Sequence, residues 1–373
     1  VKRILLCFGT RPEAIKMAPV YHALRRRRDA FRTLCCVTGQ HRAMLDQALA
    51  AFAITPDFDL GLMRESPELS GLHAAIVAAM PRVFAAAQPD LVLVHGDTTS
   101  ALATAIAAFH QRIPVGHVEA GLRSHTLSEP FPEELNRRAV GLIASLHFAP
   151  TEEAKGNLLR EGCDGRSIHV TGNTAIDAVR IMGECGSGPR VAEALDRAIG
   201  CNHRDARLVV VTCHRRETID AGLGALCGAL MELAEAFPAV RFLLPVHPNP
   251  ALRRGMASLL GSRDNLRPVD PLPYDVFLAA MRASLCLVTD SGGMQEEALA
   301  IGKPVLVMRA VTERPEAIAA GGARLVGTSQ SGIVAAVSRL LTNDREREEM
   351  TAAHNPFGDG HAADRIAAVL AAW

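Results

Sequence analysis

An α/β fold of two doubly wound domains facing across a cleft is the class this sequence predicts, and three observations predict it. Short β-branched runs alternate with Ala- and Leu-rich stretches throughout, the pattern of parallel strands with helices on both faces. The strand candidates form two similar groups, one on each side of "GECGSGPR" at residues 183–190, whose glycines and proline read as a linker loop. At 373 residues the chain also exceeds the length that a single core usually supports.

The first group of strands is read from "RILLCFG", "TLCCVTG", "LVLVHGD", "PVGHVE", "LHFAPT" and "IHVTGN". The second is "LVVVTCH", "VRFLLPVH", "LRPVD", "LCLVTD", "PVLVMR" and "ARLVG". Domains are expected over residues 1–180 and 190–355, with 356–373 as a last helix packing back on the N-terminal domain. Ligands of such sheets bind beyond the carboxyl ends of the strands, so polar residues at those ends are the informative ones.

Composition excludes several classes. Lys plus Arg equals Asp plus Glu, 40 against 40, which leaves no global field to attract nucleic acid or an anionic membrane. Apolar runs of about eight residues fall short of a membrane span, and "VKRILLCFG" stops at Gly9 without a signal-peptide pattern. A soluble, cytoplasmic protein is expected. Nine cysteines without a CxxC pair read as reduced, mostly buried thiols rather than a disulfide framework.

The stretch "FGTRPEAIKMAP" ends a strand at Phe8, turns at Gly9, and starts a helix with Thr10 near the cap and Pro12 at the first helical position. Arg11 and Lys16 then flank a helix mouth whose N–H groups favour an anion; the alternative is a surface helix with Glu13 paired to Lys16. "LVLVHGDTTSALATA" places Asp97 at a strand end, where it either caps the next helix or faces a ligand. "PVGHVEAGLRSH" places Glu119 similarly, and a Glu there is a poor cap. "FPEELNR" opens a helix with Glu133, whose charge also suits the helix dipole. Asp97, Glu119 and Glu133 together make an acid/base cluster, since crowded, desolvated carboxylates raise one another's pKa. No DxD or HExxH spacing supports the rival use, a metal site.

In the second half, "VVVTCHRRET" ends a strand with His214, Arg215 and Arg216, and "LLPVHPNP" ends another with His247. A strand-end His followed by arginines suits a diphosphate leaving group. "LCLVTDSGGMQEEALAIGKPVLV" is the strongest single signal. It delivers Ser291, Gly292 and Gly293 to a helix N-terminus, where side-chain-free backbone can donate to phosphate, and sets Glu297 where a ribose diol could be met. A tight turn using glycine for geometry alone is the other account. The stretch is neither a Walker loop nor GxGxxG, which disfavours ATP and NAD.

These motifs, with "TGQHRAMLDQ", "VTGNTAID", "TERPEAI" and "NPFGDG" in order, resemble the non-hydrolysing UDP-N-acetylglucosamine 2-epimerases over nearly the whole chain. The resemblance implies two Rossmann-like domains of the GT-B-like epimerase and glycosyltransferase fold, no cofactor, no metal, and a homodimer. It also implies reversible C2 epimerisation of UDP-N-acetylglucosamine to UDP-N-acetylmannosamine through elimination of UDP, feeding cell-surface polysaccharide synthesis. A hydrolysing relative, or a glycosyltransferase on the same fold, are the alternatives. By motif, Asp97, Glu119 and Glu133 take acid/base and sugar-contacting roles and His214 stabilises the diphosphate. Ser291, Gly292 and Gly293 cradle phosphate, Glu297 meets the ribose, Phe277 the uracil, and Arg11, Lys16 and Arg314 supply positive charge. Gln40, Arg215, Glu133 and His247 match a second, activating substrate site. Ala43 and Ser66 depart from that site's pattern, and Cys213 stands where bacterial members commonly have Gly or Ala.

Overall fold

The computed structural model describes residues 1–39, 42–62, 68–184, 188–213, 222–246, 250–261 and 263–373. The chain forms two units, one from Val1–Ile181 with Phe357–Trp373 and one from Met182–Pro356.

The first unit is built on a seven-stranded parallel sheet in the order β3-β2-β1-β4-β5-β6-β7. Its strands are β1 (Lys2–Phe8), β2 (Phe31–Val37), β3 (Phe58–Asp59), β4 (Leu91–His95), β5 (Val115–Val118), β6 (Leu146–Ala149) and β7 (Ile168–Val170). Continuous apolar runs such as Leu91 to Val94 are what a strand covered by helices on both faces requires, and these four residues are fully buried. β3, only two residues long, carries no periodic signal and escapes sequence reading. The strand order reverses between β1 and β4, which sends consecutive helices to opposite faces and opens a crevice beyond these strands' carboxyl ends. Gly9, Thr10, Gly96 and Asp97 leave the sheet at that point.

The second unit repeats the design with β8 (Arg207–Thr212), β9 (Val240–Pro245), β10 (Leu266–Val269), β11 (Ser284–Thr289), β12 (Val305–Val307) and β13 (Ala323–Leu325). Their order is β10-β9-β8-β11-β12-β13, so the switch falls between β8 and β11. Cys213 and Asp290 to Ser291 leave the sheet there. Doubly wound α/β architecture is therefore found in both halves.

Among the described residues one helix, Leu69–Ala87, is long and apolar enough by composition to cross a membrane, although Ser70, Gly71, His73, Pro81 and Arg82 break it into short apolar runs. Leu72, Ile76, Met80 and Val83 recur at helical spacing and join the sheet core with Ala101 and Ala105 of the helix Thr99–His110. Cys7, Cys35, Cys36, Cys163, Cys201, Cys213, Cys227 and Cys286 carry free thiols.

After residue 356 the chain returns to the first unit and ends in the helix Ala362–Ala372. Its first turn has orphan N–H groups, and the buried Asp177 carboxylate accepts from two of them, Ala362 N at 3.1 Å and Ala363 N at 2.8 Å. Arg180 Nε adds a bond to Gly360 O at 2.9 Å. Asp177→Ala strands both donors and should cost about 2 kcal/mol. A lowered urea midpoint with faster proteolytic loss of the final helix is the expected result; an unchanged midpoint would remove Asp177 from this role.

Candidate functional site

The helix Arg11–Arg26 begins at the carboxyl end of β1 with Thr10 as its cap. Its third residue, Glu13, folds back over the mouth: Glu13 Oε2 accepts from Gly9 N at 3.0 Å and Thr10 N at 2.8 Å. Glu13 Oε1 accepts from Thr98 Oγ1 at 2.8 Å, and Thr98 in turn caps the helix Thr99–His110 that follows Asp97. The mouth expected to attract a ligand anion is thus closed by the chain's own carboxylate, and Glu13 is not the partner of Lys16. Arg11, half-buried, is the first residue of this helix.

Lys16, 6% exposed, lies one turn further along, and its ammonium donates instead to Glu119 Oε2. Glu119 follows β5 with φ +63°, a left-handed conformation uncommon for a residue with a side chain. Asn173 Nδ2 donates to the same Oε2 at 2.8 Å, and His95 Nε2 lies 3.8 Å from it. Glu119 Oε1 rests against Gly96, where a Cβ would stand 3.6 Å away. The Gly96 carbonyl is held by His117 Nε2 at 2.7 Å. Burial first, then the neighbouring His147, Arg123 and His95, lowers the His117 pKa to about 3, so the ring is neutral and Nε2–H is its donor.

Asp97 is answered by a second cation. Arg137 Nε donates to Asp97 Oδ2 at 3.1 Å, Arg137 Nη2 donates to the same oxygen, and Arg137 Nη1 reaches Glu134 Oε2 at 3.0 Å. Asn136 Nδ2 donates to the Asp97 carbonyl at 2.9 Å. These contacts dock the helix Glu133–Ile143 against Asp97 and put Glu133 at its start, half-buried. Of the three carboxylates expected to form an acid/base cluster, Glu119 is thus paired with Lys16 and Asp97 with Arg137, which also serves Glu134. His95, Asn173 and Arg137 were missed because their partners lie far away in the chain, and Glu134 because it reads as ordinary helix-start charge; only the motif blocks "VTGNTAID" and "FPEELNR" pointed toward the last three.

In the second unit, Ser291 caps the helix Gly292–Ala300, accepting from Met294 N. A Cβ on Gly292 would stand 2.8 Å from Arg314 Nη1 and 2.9 Å from Glu313 Oε1, so a side chain there would displace the ends of both; at Gly293 nothing lies within 4 Å. Arg314 Nε bonds Glu296 at 2.9 Å and Arg314 Nη1 bonds Glu313 at 2.9 Å, while Arg309 also pairs with Glu313. Arg314, expected as positive charge for the ligand, is buried and paired with these glutamates behind the turn. Tyr274 donates its hydroxyl to Glu297 Oε1 at 3.1 Å, and Phe277 lies one turn further along Tyr274's own helix. Cys213 is buried beside Asp290; burial and that carboxylate push its thiol pKa well up. Gln40, Ser66, His214, Arg215 and His247 lie outside the described residues, and Ala43 is exposed on the helix Arg42–Ala51. Among the described residues no group of His, Cys, Asp and Glu could hold a metal ion.

Two doubly wound units, each with charged or glycine-rich turns at its switch point, define an α/β enzyme of the kind that binds nucleotide ligands at strand ends. Within that class the chain belongs to the UDP-N-acetylglucosamine 2-epimerase family, whose model matches residues 22–371. It is 46% identical over 369 residues to the UDP-N-acetylglucosamine 2-epimerase of Escherichia coli K12, covering 99% of this chain and 98% of that one. The crystal structure of the Neisseria meningitidis UDP-GlcNAc 2-epimerase bound to UDP-GlcNAc is similar at TM-score 0.95 and 41% identity, with 99% of both chains covered. The Methanocaldococcus jannaschii UDP-GlcNAc 2-epimerase in complex with UDP-GlcNAc and UDP is similar at TM-score 0.88 and 30% identity, with both chains wholly covered.

Glu13 carries a pH consequence. Burial raises its pKa from 4.5 to about 7, against the opposing hydrogen bonds from Thr98, Gly9 and Thr10. A carboxyl whose folded pKa lies above its unfolded one contributes stability that is complete below the unfolded value and lost as pH rises through the folded one. The protein should therefore lose up to about 3 kcal/mol between pH ~4.5 and pH ~7.5 from this group. Glu13→Gln, isosteric with the protonated acid, should flatten that part of a urea-midpoint-against-pH curve. Parallel curves for the two proteins would contradict the assignment.

Proposed function

We propose that the chain interconverts UDP-N-acetylglucosamine and UDP-N-acetylmannosamine without net hydrolysis. The observation that carries this is Glu119, a carboxylate held at a strand end by a lysine, in a chain that is similar throughout its length to epimerases solved with UDP-GlcNAc. The C2 proton passes to a protein base as the C1–O bond breaks, its electron pair leaving on the β-phosphate oxygen of UDP while a C1=C2 double bond forms. The resulting 2-acetamidoglucal takes a proton at C2 on the opposite face, and the UDP oxygen re-forms its bond to C1. Barrier lowering then requires a base, an acid and stabilisation of the leaving diphosphate, with water excluded.

Asp97, Glu119 and Glu133 are assigned the proton transfers and sugar contacts, with Lys16 and Arg137 as the counter-charges that hold the first two. Backbone N–H groups at Ser291 to Gly293 receive phosphate, Glu297 with Tyr274 the ribose, Phe277 the uracil, and His214 and Arg11 the charge on the leaving group. Arg314 serves by bracing the phosphate turn. Gln40, Arg215 and His247 are the residues a second UDP-N-acetylglucosamine would meet, at a site whose pattern Ala43 and Ser66 break. A homodimer in the cytoplasm completes the proposal; light scattering reads the first of these.

Incubation with UDP-N-acetylglucosamine in D2O is expected to place deuterium at C2 and give a stable mixture of two nucleotide sugars. Steady accumulation of UDP and free sugar would instead make the enzyme a hydrolase. Asp97→Asn and Glu119→Gln should each lower kcat by about 10³-fold or more while UDP still binds, since neither carboxylate is assigned to the nucleotide. Normal turnover by either variant would strike that residue from the mechanism.

A further inference from the structure

Glu119 is gripped by a residue whose chemistry permits only one kind of interaction with it. Asn173 sits between β7 and the helix Thr174–Glu184, 2% exposed, and is fixed on three sides. Its backbone N–H donates to Phe357 O at 2.7 Å. Its Oδ1 accepts from Ala175 N at 2.9 Å, satisfying a donor in the helix's first turn. Its Nδ2 donates to Glu119 Oε2 at 2.8 Å. A backbone N–H can only donate, so the cap forces the oxygen of the amide toward Ala175 and the NH2 toward Glu119. A flipped amide would set oxygen against carboxylate oxygen and strand the Ala175 donor.

We infer that Asn173 is a positioning residue for the reaction proposed above: through a donor that cannot reverse, it orients the Glu119 carboxylate and favours its ionised form. Lys16, on the first helix, supplies charge, and among the described residues His95, on β4, is a second titratable group facing Glu119. Lys16 approaches on a four-carbon stem that can follow the carboxylate as it moves, whereas the amide of Asn173 is locked by its own cap. Direction comes from the amide and charge from the amine. The inference depends on Glu119 moving a proton, so its test carries a control for that.

Asn173→Asp separates positioning from structure. Aspartate caps a helix as well as asparagine does, so the bond from Ala175 survives, but the donor to Glu119 is replaced by a second carboxyl. Two carboxyls at hydrogen-bond distance share one proton, and the pair holds it to higher pH than Glu119 alone. The limb of the kcat–pH profile governed by Glu119 should therefore move up by about one pH unit or more, with the melting temperature near that of the wild type. Asn173→Ser, which keeps a capping oxygen but has no donor long enough to reach Glu119, should lower kcat about tenfold with KM within about threefold.

Superimposable profiles for wild type and Asn173→Asp, with Asn173→Ser turning over normally and Glu119→Gln inactive, would overturn the positioning role and leave the epimerase reading intact. A fully active Glu119→Gln, or a wild type that forms no epimer, would instead refute the reading beneath it. If Asn173→Asp fails to fold, Asn173→Ser decides alone: an unchanged kcat rejects the role and the selective fall in kcat supports it.

Discussion

A carboxylate taken out of water must be given its counter-charge by the fold, and here one buried ion pair meets that demand. Glu119 and Lys16 are 103 residues apart, yet both are nearly sequestered and their charged ends touch. Neither could be buried alone without a cost of several kcal/mol. The pairing dictates much around it: Lys16 must sit one turn into the first helix, and β5 must end so that Glu119 turns back toward β1. The turn is made by Glu119 itself, in a left-handed backbone conformation that side-chain-bearing residues occupy at a cost of about 1–3 kcal/mol and keep only when their surroundings over-determine it. Lys16, Asn173 and the close backbone of Gly96 are those surroundings.

This explains why the outline of the fold was legible in the sequence and the wiring of the site was not. Parallel strands buried on both faces must be continuous apolar runs, and caps and glycine turns are chosen by local backbone geometry, so "RILLCFG", "LVLVHGD" and "TDSGGMQ" announce strand, turn and helix without reference to the rest of the chain. The partners of Glu119 obey no such local rule. Asn173 and Lys16 reach it only because β4 follows β1 in the sheet and β5, β6 and β7 follow in turn, an order that alternation of elements does not reveal. Arg137 reads as one more charge on a helix until that helix is seen lying against Asp97. A family resemblance supplies names for such residues but not their contacts.

Local reasoning also fails where two sites share a form and differ in occupancy. Both switch points end in a helix with a hydroxyl cap, Thr10 in one unit and Ser291 in the other, and both mouths read as anion sites. The difference is one residue, three positions past the cap. Glu13 is long enough to fold back and fill the first mouth with its own carboxylate, while Met294 occupies the equivalent place in the second and offers nothing to the N–H groups. Charge follows the same division. Behind the second mouth, Arg309 and Arg314 are balanced by Glu296 and Glu313, so this buried set is formally neutral and holds Gly292 close without adding net charge. A phosphate at that turn would meet backbone dipoles first, and the cations there would act by fixing where those dipoles point. The first mouth, closed by Glu13, frees Lys16 to serve Glu119. One glutamate thus separates a helix start filled by its own carboxylate from one whose corresponding residue is Met294.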